Sequence, residues 1–128
     1  MKSVVICGSR RFEKEIRKFA EDLKKAGVVV YEPILNKDRR IDSLPPNLKR
    51  FAFLGITHHH FSFIRKADVV YIYNKDGYMG VSGTLELGFA EALGKPIYAF
   101  SNGDSEPVRE VLFDEVLKTP KELIKRLK

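Results

Sequence analysis

Short runs of apolar residues alternate along this chain with longer stretches in which apolar residues recur every three or four positions. The runs predict buried strands at residues 4–7, 28–31, 69–73 and 96–100, with a short fifth strand at 116–117. The helical spacing predicts helices at 12–26, 48–66 and 84–93, and a last helix that starts at Pro120. A break in the second helix is expected at Gly55, with Thr57 able to cap a second segment. Residues 36–47 are polar and contain two prolines, so we expect a long loop that is a candidate lid or partner surface.

Strands that alternate with helices, and that are apolar throughout, indicate a parallel sheet covered on both faces. We therefore predict a single doubly wound α/β domain over residues 1–128. Its mainly parallel sheet of about five strands has flavodoxin-like (Rossmann-like) order and is flanked by helices. In such sheets a ligand binds beyond the carboxyl ends of the strands, where the strand order reverses. This rule directs attention to two turns, at residues 8–12 after the first strand and at residues 74–86 after the third.

The turn after the first strand contains Gly8, Ser9, Arg10 and Arg11. Glycine lets the backbone approach a ligand closely, the serine hydroxyl can donate a hydrogen bond, and the following helix offers free N–H groups to an anion. The two arginines could pair with a phosphate. An ordinary strand-to-helix turn, with its arginines pointing into water, is the alternative. The turn is neither a GxGxxG nor a Walker motif, so those dinucleotide and NTP signatures do not apply.

The turn after the third strand has three glycines within seven residues and leads into a helix. Such a turn forms a wall that a flat ligand could approach. Hydroxyl groups near the helix N-terminus cap N–H groups or bind oxyanions. The candidate ligand contacts in this turn are Asn74, Tyr78, Gly80, Ser82 and Gly83.

Glu86 follows the second turn and shares a helical stripe with Ala90 and Leu93, so its carboxylate is predicted to face the sheet. A capping box does not explain it, because the residues three positions after Ser82 and Thr84 are both leucines. A first-turn acid that favours the helix dipole is the structural alternative. A carboxylate aimed into a cleft among glycines is costly unless it is paired or used. Glu86 is therefore the principal catalytic candidate.

Three consecutive histidines at positions 58–60 resemble a metal cluster only superficially. Consecutive helix residues point about 100° apart, so the three side chains cannot converge on one ion. We find no partner cysteine and no second histidine at a spacing of four, and we predict neither a metal site nor a cofactor. His60 shares a helix face with Ile64 and Ala67 and is predicted to point toward the sheet near the second turn. Two roles are open for His60: a core histidine whose polar atoms are hydrogen-bonded, or a residue that contacts the ligand.

The formal charge of +6 comes from basic residues spread over helix faces with acidic residues interleaved, which is typical of a solvated surface. We therefore expect no nucleic acid polymer as partner, although a positive field would help to attract a phosphorylated small molecule. No segment approaches the roughly 18 continuous apolar residues of a membrane helix, and we see no signal peptide at the N-terminus. The single Cys7 cannot form an internal disulfide, which fits a reducing cytoplasm.

Several motifs of the chain resemble the nucleoside 2-deoxyribosyltransferase family and the related nucleotide N-hydrolases. The strongest part is Ala-Asp-Val-Val-Tyr at 67–71, followed by Gly-Thr-Leu-Glu-Leu-Gly-Phe-Ala at 83–90 and Gly-Lys-Pro-Ile at 94–97. Cys-Gly-Ser-Arg at 7–10 is similar to the family's first ligand-binding loop. The similarity extends over about residues 4–100.

The resemblance implies that Glu86 attacks C1′ of a sugar, so that the base leaves and a covalent glycosyl-enzyme is resolved by water or by another base. His60 takes the position at which the family commonly has an aspartate, and it could hydrogen-bond a sugar hydroxyl or protonate the leaving base. Gly80 stands where the family has a serine or an aspartate. The family completes its sites across subunit interfaces, which implies a homodimer or a higher homo-oligomer.

The leading hypothesis is thus an N-glycosidase or N-glycosyltransferase that acts on a nucleoside or nucleoside 5′-monophosphate. Glu86 is its nucleophile and His60 its second catalytic residue. A non-catalytic nucleotide-binding or sensing module, which keeps the cleft without turnover, is the alternative from another functional class. Hydrolysis of NAD by a related fold is a lesser alternative.

Overall fold

The centre of the structure, a computed structural model that describes residues 1–34 and 41–128, is a five-stranded parallel sheet. Its strands are β1 (Val4–Gly8), β2 (Val30–Tyr31), β3 (Val69–Tyr73), β4 (Ile97–Ala99) and β5 (Glu115–Val116). They lie in the order β2-β1-β3-β4-β5, and every neighbouring pair is parallel. The predicted flavodoxin-like order is therefore confirmed, and the order reverses between β1 and β3.

Helices cover both faces of this sheet. They are α1 (Glu13–Lys25), α2 (Pro46–Lys66), α3 (Val81–Ala92), α4 (Pro107–Glu110) and α5 (Pro120–Leu127), with single 3₁₀ turns at Arg10–Phe12 and Lys75–Gly77. Side chains of α1 and α5 pack in the apolar cluster on one face, and side chains of α2 and α3 pack in the cluster on the other. Among the described residues, no helix combines the length and the apolar character needed to cross a membrane.

Alternate residues of β1 serve the two apolar clusters, as the two-residue period of a strand requires. Val4 and Ile6 belong to the cluster under α1 and α5, whereas Val5 and Cys7 belong to the cluster under α2 and α3. The β1–β3 register ends with Gly8 opposite Tyr73. The turns that follow β1 and β3 therefore leave the sheet side by side, and Cys7 is the last β1 residue below them on the α2–α3 face.

The bounds of two elements differ from the sequence prediction for local reasons. The N–H of Val28 donates to the carbonyl of Leu23, 3.1 Å away, and so belongs to the end of α1 rather than to β2. Helix α3 begins at Val81 instead of Thr84, because the carbonyl of Gly80 already accepts the first intrahelical hydrogen bond, from the N–H of Thr84 at 3.0 Å. The short helix α4 was not predicted.

Helix α2 runs without interruption from Pro46 to Lys66. The predicted break at Gly55 is wrong, and Thr57 lies inside the helix and does not cap a second one. The helix begins two residues earlier than predicted because proline at the first position already has a helical φ and needs no N–H acceptor. Of the predicted loop over 36–47, residues 36–40 lie outside the described residues.

Gly55→Ala is expected to raise the free energy of unfolding by up to about 1 kcal/mol, since alanine has the higher helix propensity. A Cβ at this position would meet no atom within 4 Å. Urea denaturation followed by circular dichroism measures the change. Gly27→Ala is the matched control: its Cβ also meets nothing, but its φ of +87° is strained for alanine, so stability should fall. A loss of stability in Gly55→Ala would contradict a regular helix at this point.

Candidate active site

A cavity of about 320 Å³ lies at the carboxyl edge of the sheet, between the two turns and α2. Its volume is at the lower end of the range of about 300–1,000 Å³ that is typical of small-ligand sites. The predicted site residues in its wall are Gly8, Ser9, Arg10, His60, Tyr78, Gly80, Ser82, Gly83 and Glu86. Apolar residues of α2, which the sequence analysis did not single out, complete the wall, among them Phe53, Ile56 and Phe61. The cavity is therefore where the strand-order rule places a ligand.

Two of the predicted ligand contacts, Arg11 and Asn74, do not line this cavity. The guanidinium of Arg11 lies over the ring of Tyr78, 3.6 Å from the ring centroid, and holds that ring by a cation–π contact. The buried amide of Asn74 donates to the carbonyl of Ser101 and accepts from its N–H, both at 2.8 Å. Asn74 thus ties the end of β3 to the chain after β4, and both of its polar groups are used by backbone.

Three ionisable side chains from three different elements converge in the cavity wall. Sγ of Cys7 in β1 lies 3.3 Å from Nε2 of His60 in α2, and that nitrogen lies 3.6 Å from Oε2 of Glu86 in α3. The predicted orientations of His60 and Glu86 toward the sheet are confirmed. The statement that His60 has no partner cysteine is wrong. The alternation of a strand could have predicted the position of Cys7, because Cys7 is the last buried residue of β1 on the face that α2 and α3 cover.

Burial governs the ionisation of this cluster. It raises the pKa of Glu86 to about 7, although the hydrogen bond with Cys7 acts in the opposite direction. It lowers the pKa of His60 to about 4, with a smaller contribution from the charge of His59. Burial, and then the neighbouring Glu86 carboxylate, raise the pKa of Cys7 well above its ordinary value. Near neutral pH, Cys7 is a thiol, the His60 ring is neutral, and Glu86 is close to the midpoint of its titration.

His60 is not a fully satisfied core histidine. Its side chain is 6% exposed, and within the described part of the chain its Nδ1 atom has no hydrogen-bond partner. The Nε2 atom of the ring, in contrast, has two polar neighbours, Cys7 and Glu86. Most buried polar groups of folded proteins have a hydrogen-bond partner, so an unpaired one calls for a specific explanation, such as a catalytic role or a bound ion. The environment of the ring therefore favours a functional role over simple core packing.

The N-terminus of α3 forms a second polar part of the cavity wall. Gly80 is the N-cap residue, and no side chain caps the helix. The N–H groups of the first helical turn lack intrahelical acceptors, and this turn contains no acidic residue. Such a helix end attracts anions. Because α3 begins at Val81, Glu86 lies in its second turn, so the alternative reading of Glu86 as a first-turn acid is wrong.

Arg109 of α4 holds the turn after β3 in place and was missed by the sequence analysis. Its Nε and Nη2 atoms donate to the fully buried carboxylate of Asp104, at 2.9 and 2.5 Å. Its Nη1 atom contacts the carbonyl of Met79 at 3.4 Å and the hydroxyl of Thr84 at 3.2 Å. The glycine-rich turn is therefore anchored from outside the cavity by a paired guanidinium.

Arg109→Met is expected to lower the free energy of unfolding by about 1–3 kcal/mol, because the buried Asp104 carboxylate loses its partner. Chemical denaturation measures the effect, and Asp104→Asn in the same chain should restore part of the loss. Arg126→Met is the control, since that guanidinium pairs with Glu115 on the surface and its removal should change stability far less. Equal losses in the two arginine variants would contradict the anchoring role of Arg109.

Comparison with known proteins adds evidence on the fold. No protein-family model matches the chain, and no match is found among curated proteins. Among solved structures, the 2-deoxyribosyltransferase of the psychrotolerant bacterium Bacillus psychrosaccharolyticus matches with a TM-score of 0.67 and 16% identity, over 94% of this chain and 90% of that one. A conserved protein of Enterococcus faecalis V583 matches with a TM-score of 0.59 and 13% identity, over 99% and 97% of the two chains. The chain therefore has a nucleoside 2-deoxyribosyltransferase-like fold, as its sequence motifs implied.

Proposed function

We propose that this protein cleaves the N-glycosidic bond of a nucleoside or nucleoside 5′-monophosphate, with Glu86 as the nucleophile. The observation that carries the proposal is the position of the Glu86 carboxylate. Its side chain is 16% exposed, it lines the cavity, and its nearest polar neighbours are Cys7 and His60 rather than a lysine or arginine of the described chain. A carboxylate kept buried without a strong cation is costly unless it is used. The solved 2-deoxyribosyltransferase with the same fold supports this use.

In the proposed reaction the ionised Glu86 carboxylate attacks C1′ of the sugar. The C1′–N bond breaks, and its electron pair leaves with the base, which takes a proton from water at the cavity mouth. A glycosyl ester forms on Glu86 and is resolved by water or by the nitrogen of a second base. Two displacements at C1′ give retention of configuration. The negative charge of Glu86 also stabilises the oxocarbenium-like transition state.

His60 is proposed to act as a hydrogen-bond donor rather than as an acid. Its pKa of about 4 leaves the ring neutral at physiological pH, so it has little capacity to protonate a leaving base. With a proton on Nε2, the ring can donate to the Glu86 carboxylate or to a sugar hydroxyl in the cavity. This role requires no charge on His60 and keeps Glu86 oriented toward the ligand.

A phosphate on the 5′ position is proposed to lie against the N-terminus of α3. Gly80, Ser82 and Gly83 form this part of the cavity wall, and Arg10 lies in the same cavity. A Cβ on Gly83 would come within 2.8 Å of Met79 Cγ, so a side chain here would displace the Met79 side chain. Free N–H groups and a guanidinium are the groups that recognise phosphate in proteins.

A non-catalytic nucleotide-binding module is the second candidate function. The observation that favours it is His60, which stands where the resembled family has an aspartate and is neutral near pH 7. Such a module would bind the same ligands in the same cavity without turnover.

We also propose that the protein forms a homodimer or a higher homo-oligomer. Large apolar side chains of α2 and α3 are exposed, including Phe51 at 67%, Leu54 at 51%, Val81 at 80% and Leu85 at 58%, and the last two also line the cavity. Exposed apolar patches of this kind are typical of protein interfaces. Light scattering coupled to size-exclusion chromatography gives the oligomeric state, and a strictly monomeric protein would contradict the proposal.

A panel of ribo- and deoxyribonucleosides and their 5′-monophosphates tests the proposed function. Each is incubated with the protein, alone and with a second free base, and free base and new nucleosides are separated by chromatography. Release of base from one class of substrate is the expected result, and transfer to the second base would identify a transferase. Thermal stabilisation by a nucleotide without any base release would instead establish the binding module.

A further inference from the structure

We propose that Cys7, His60 and Glu86 form a binding site for one zinc-type divalent cation. The donor atoms are Sγ of Cys7, Nε2 of His60 and a carboxylate oxygen of Glu86, which come from β1, α2 and α3. Nothing in the glycosidase proposal requires a metal, and this site does not depend on that proposal.

The spacing of the three donor atoms matches a tetrahedral site. Zinc binds sulfur at about 2.3 Å and nitrogen or oxygen at about 2.0–2.2 Å, so donors of a tetrahedral site are about 3.4–3.6 Å apart. The observed separations are 3.3 Å from Cys7 Sγ to His60 Nε2 and 3.6 Å from His60 Nε2 to Glu86 Oε2. All three donors lie within 4.8 Å of one another, and rotation of the Glu86 carboxyl group can close the remaining gap.

The chemistry of the donors selects the class of ion. A thiolate, an imidazole and a carboxylate together suit Zn²⁺ and Co²⁺, whereas Mg²⁺ and Ca²⁺ prefer sites made of oxygen alone. Three protein ligands leave a fourth position, which here faces the cavity that all three residues line. This arrangement is that of zinc sites with an exchangeable ligand.

The cluster is prepared for an ion without a large rearrangement. Cys7 and His60 are buried in the core, so their side chains are already held in place. Nε2 of His60 already lies close to both other donor atoms, so coordination requires no rotation of the ring. Binding transfers the proton of the Cys7 thiol, and the proton of any protonated Glu86, to the solvent, so affinity should fall as the pH is lowered.

Coordination of Glu86 has a consequence for the proposed reaction. An ion on the carboxylate oxygens competes with their attack on C1′, so Zn²⁺ should inhibit any base release. The metal site itself is tested without a nucleoside, and an inactive protein can still bind the ion.

Titration with Co²⁺ tests the site, after removal of metals from the protein with a chelator. One equivalent should produce visible bands of tetrahedral Co²⁺ and a thiolate-to-cobalt charge-transfer band in the near ultraviolet, and one equivalent of Zn²⁺ should abolish both. Cys7→Ser should remove the charge-transfer band. Glu86→Gln and His60→Gln should each weaken Co²⁺ binding at least about 10-fold. His58→Gln, an exposed histidine of the same helix, is the matched control and should bind as the unmodified protein does.

The proposal is overturned if one equivalent of Co²⁺ gives no charge-transfer band, or if that band persists in Cys7→Ser. Equal weakening in His58→Gln and His60→Gln would also overturn it, since the ion would then bind to surface histidines. Circular dichroism checks that each variant is folded. If Cys7→Ser is not folded, the comparison of Glu86→Gln and His60→Gln with His58→Gln decides the question.

Discussion

Glu86→Gln is expected to lower the rate of base release by at least about 10³-fold, which is typical of the loss of a catalytic nucleophile. Glutamine has nearly the same shape as glutamate, but its neutral amide cannot form the glycosyl ester or stabilise positive charge on the sugar. The cavity and its contacts to the ligand remain. Chromatography of the free base under single-turnover conditions measures the loss, and the ligand-induced change in melting temperature measures binding.

Glu91→Gln is the control for this prediction, because Glu91 is an exposed acid of the same helix and does not line the cavity. Its rate should equal that of the unmodified protein. A Glu86→Gln protein that still releases base at more than about a tenth of the original rate would place the nucleophile elsewhere. Loss of ligand binding together with activity would show that Glu86 acts mainly in recognition.

The second large effect is on stability, which Glu86→Gln is expected to increase although it lowers activity. Above pH 7, Glu86→Gln is expected to be more stable than the unmodified protein by about 3 kcal/mol. The pKa of Glu86 is about 7 in the folded protein and 4.5 without its environment, so between these pH values the folded chain holds a proton that the unfolded chain has lost. The contribution of Glu86 to the free energy of unfolding therefore decreases as the pH rises from about 4.5 to about 7. Glutamine does not titrate, so the Glu86→Gln variant does not undergo this decrease in stability.

His60 has the reverse pH dependence and makes the comparison more specific. Its folded pKa is about 4 and its ordinary value is 6.5, so the unfolded chain binds the extra proton, and stability rises from about pH 4 to 6.5. In the unmodified protein the two effects nearly cancel between about pH 4.5 and 6.5. In Glu86→Gln the effect of Glu86 is absent, so stability should rise with pH over this range because of His60. Urea denaturation at intervals between about pH 4 and pH 8 gives both curves. If the free energies of unfolding of the two proteins change in parallel with pH, Glu86 has an ordinary pKa.

Elements with a strong local signal could be predicted from the sequence. Strand β3 was predicted with the observed bounds, because five buried apolar residues are followed by a polar turn. The orientations of His60 and Glu86 followed from helical periodicity, which fixes the face on which a side chain lies. Gly55 misled the helix prediction. A glycine costs a helix interior only about 1 kcal/mol, and the hydrogen bonds and packing of a 21-residue helix outweigh that cost.

Contacts between distant parts of the chain could not be predicted in this way. Cys7 and His60 are 53 positions apart, and only the packing of α2 on β1 brings them together. Arg109 reaches back 30 positions to Met79, in a direction that no periodic pattern encodes. Asn74 was expected to face a ligand, but the backbone of Ser101 uses both of its polar groups.

The central position of β1 has a consequence for the synthesis of the chain. During translation β1 and β2 leave the ribosome well before β3, which is the partner of β1 along all five of its residues. Until then, one edge of β1 has no strand to pair with, and its apolar side chains on both faces lack part of their cover. Unpaired apolar strand edges are prone to aggregation. A nascent chain that stalls before residue 69 should therefore depend on chaperones, whereas one that extends past β3 can pair both edges of β1.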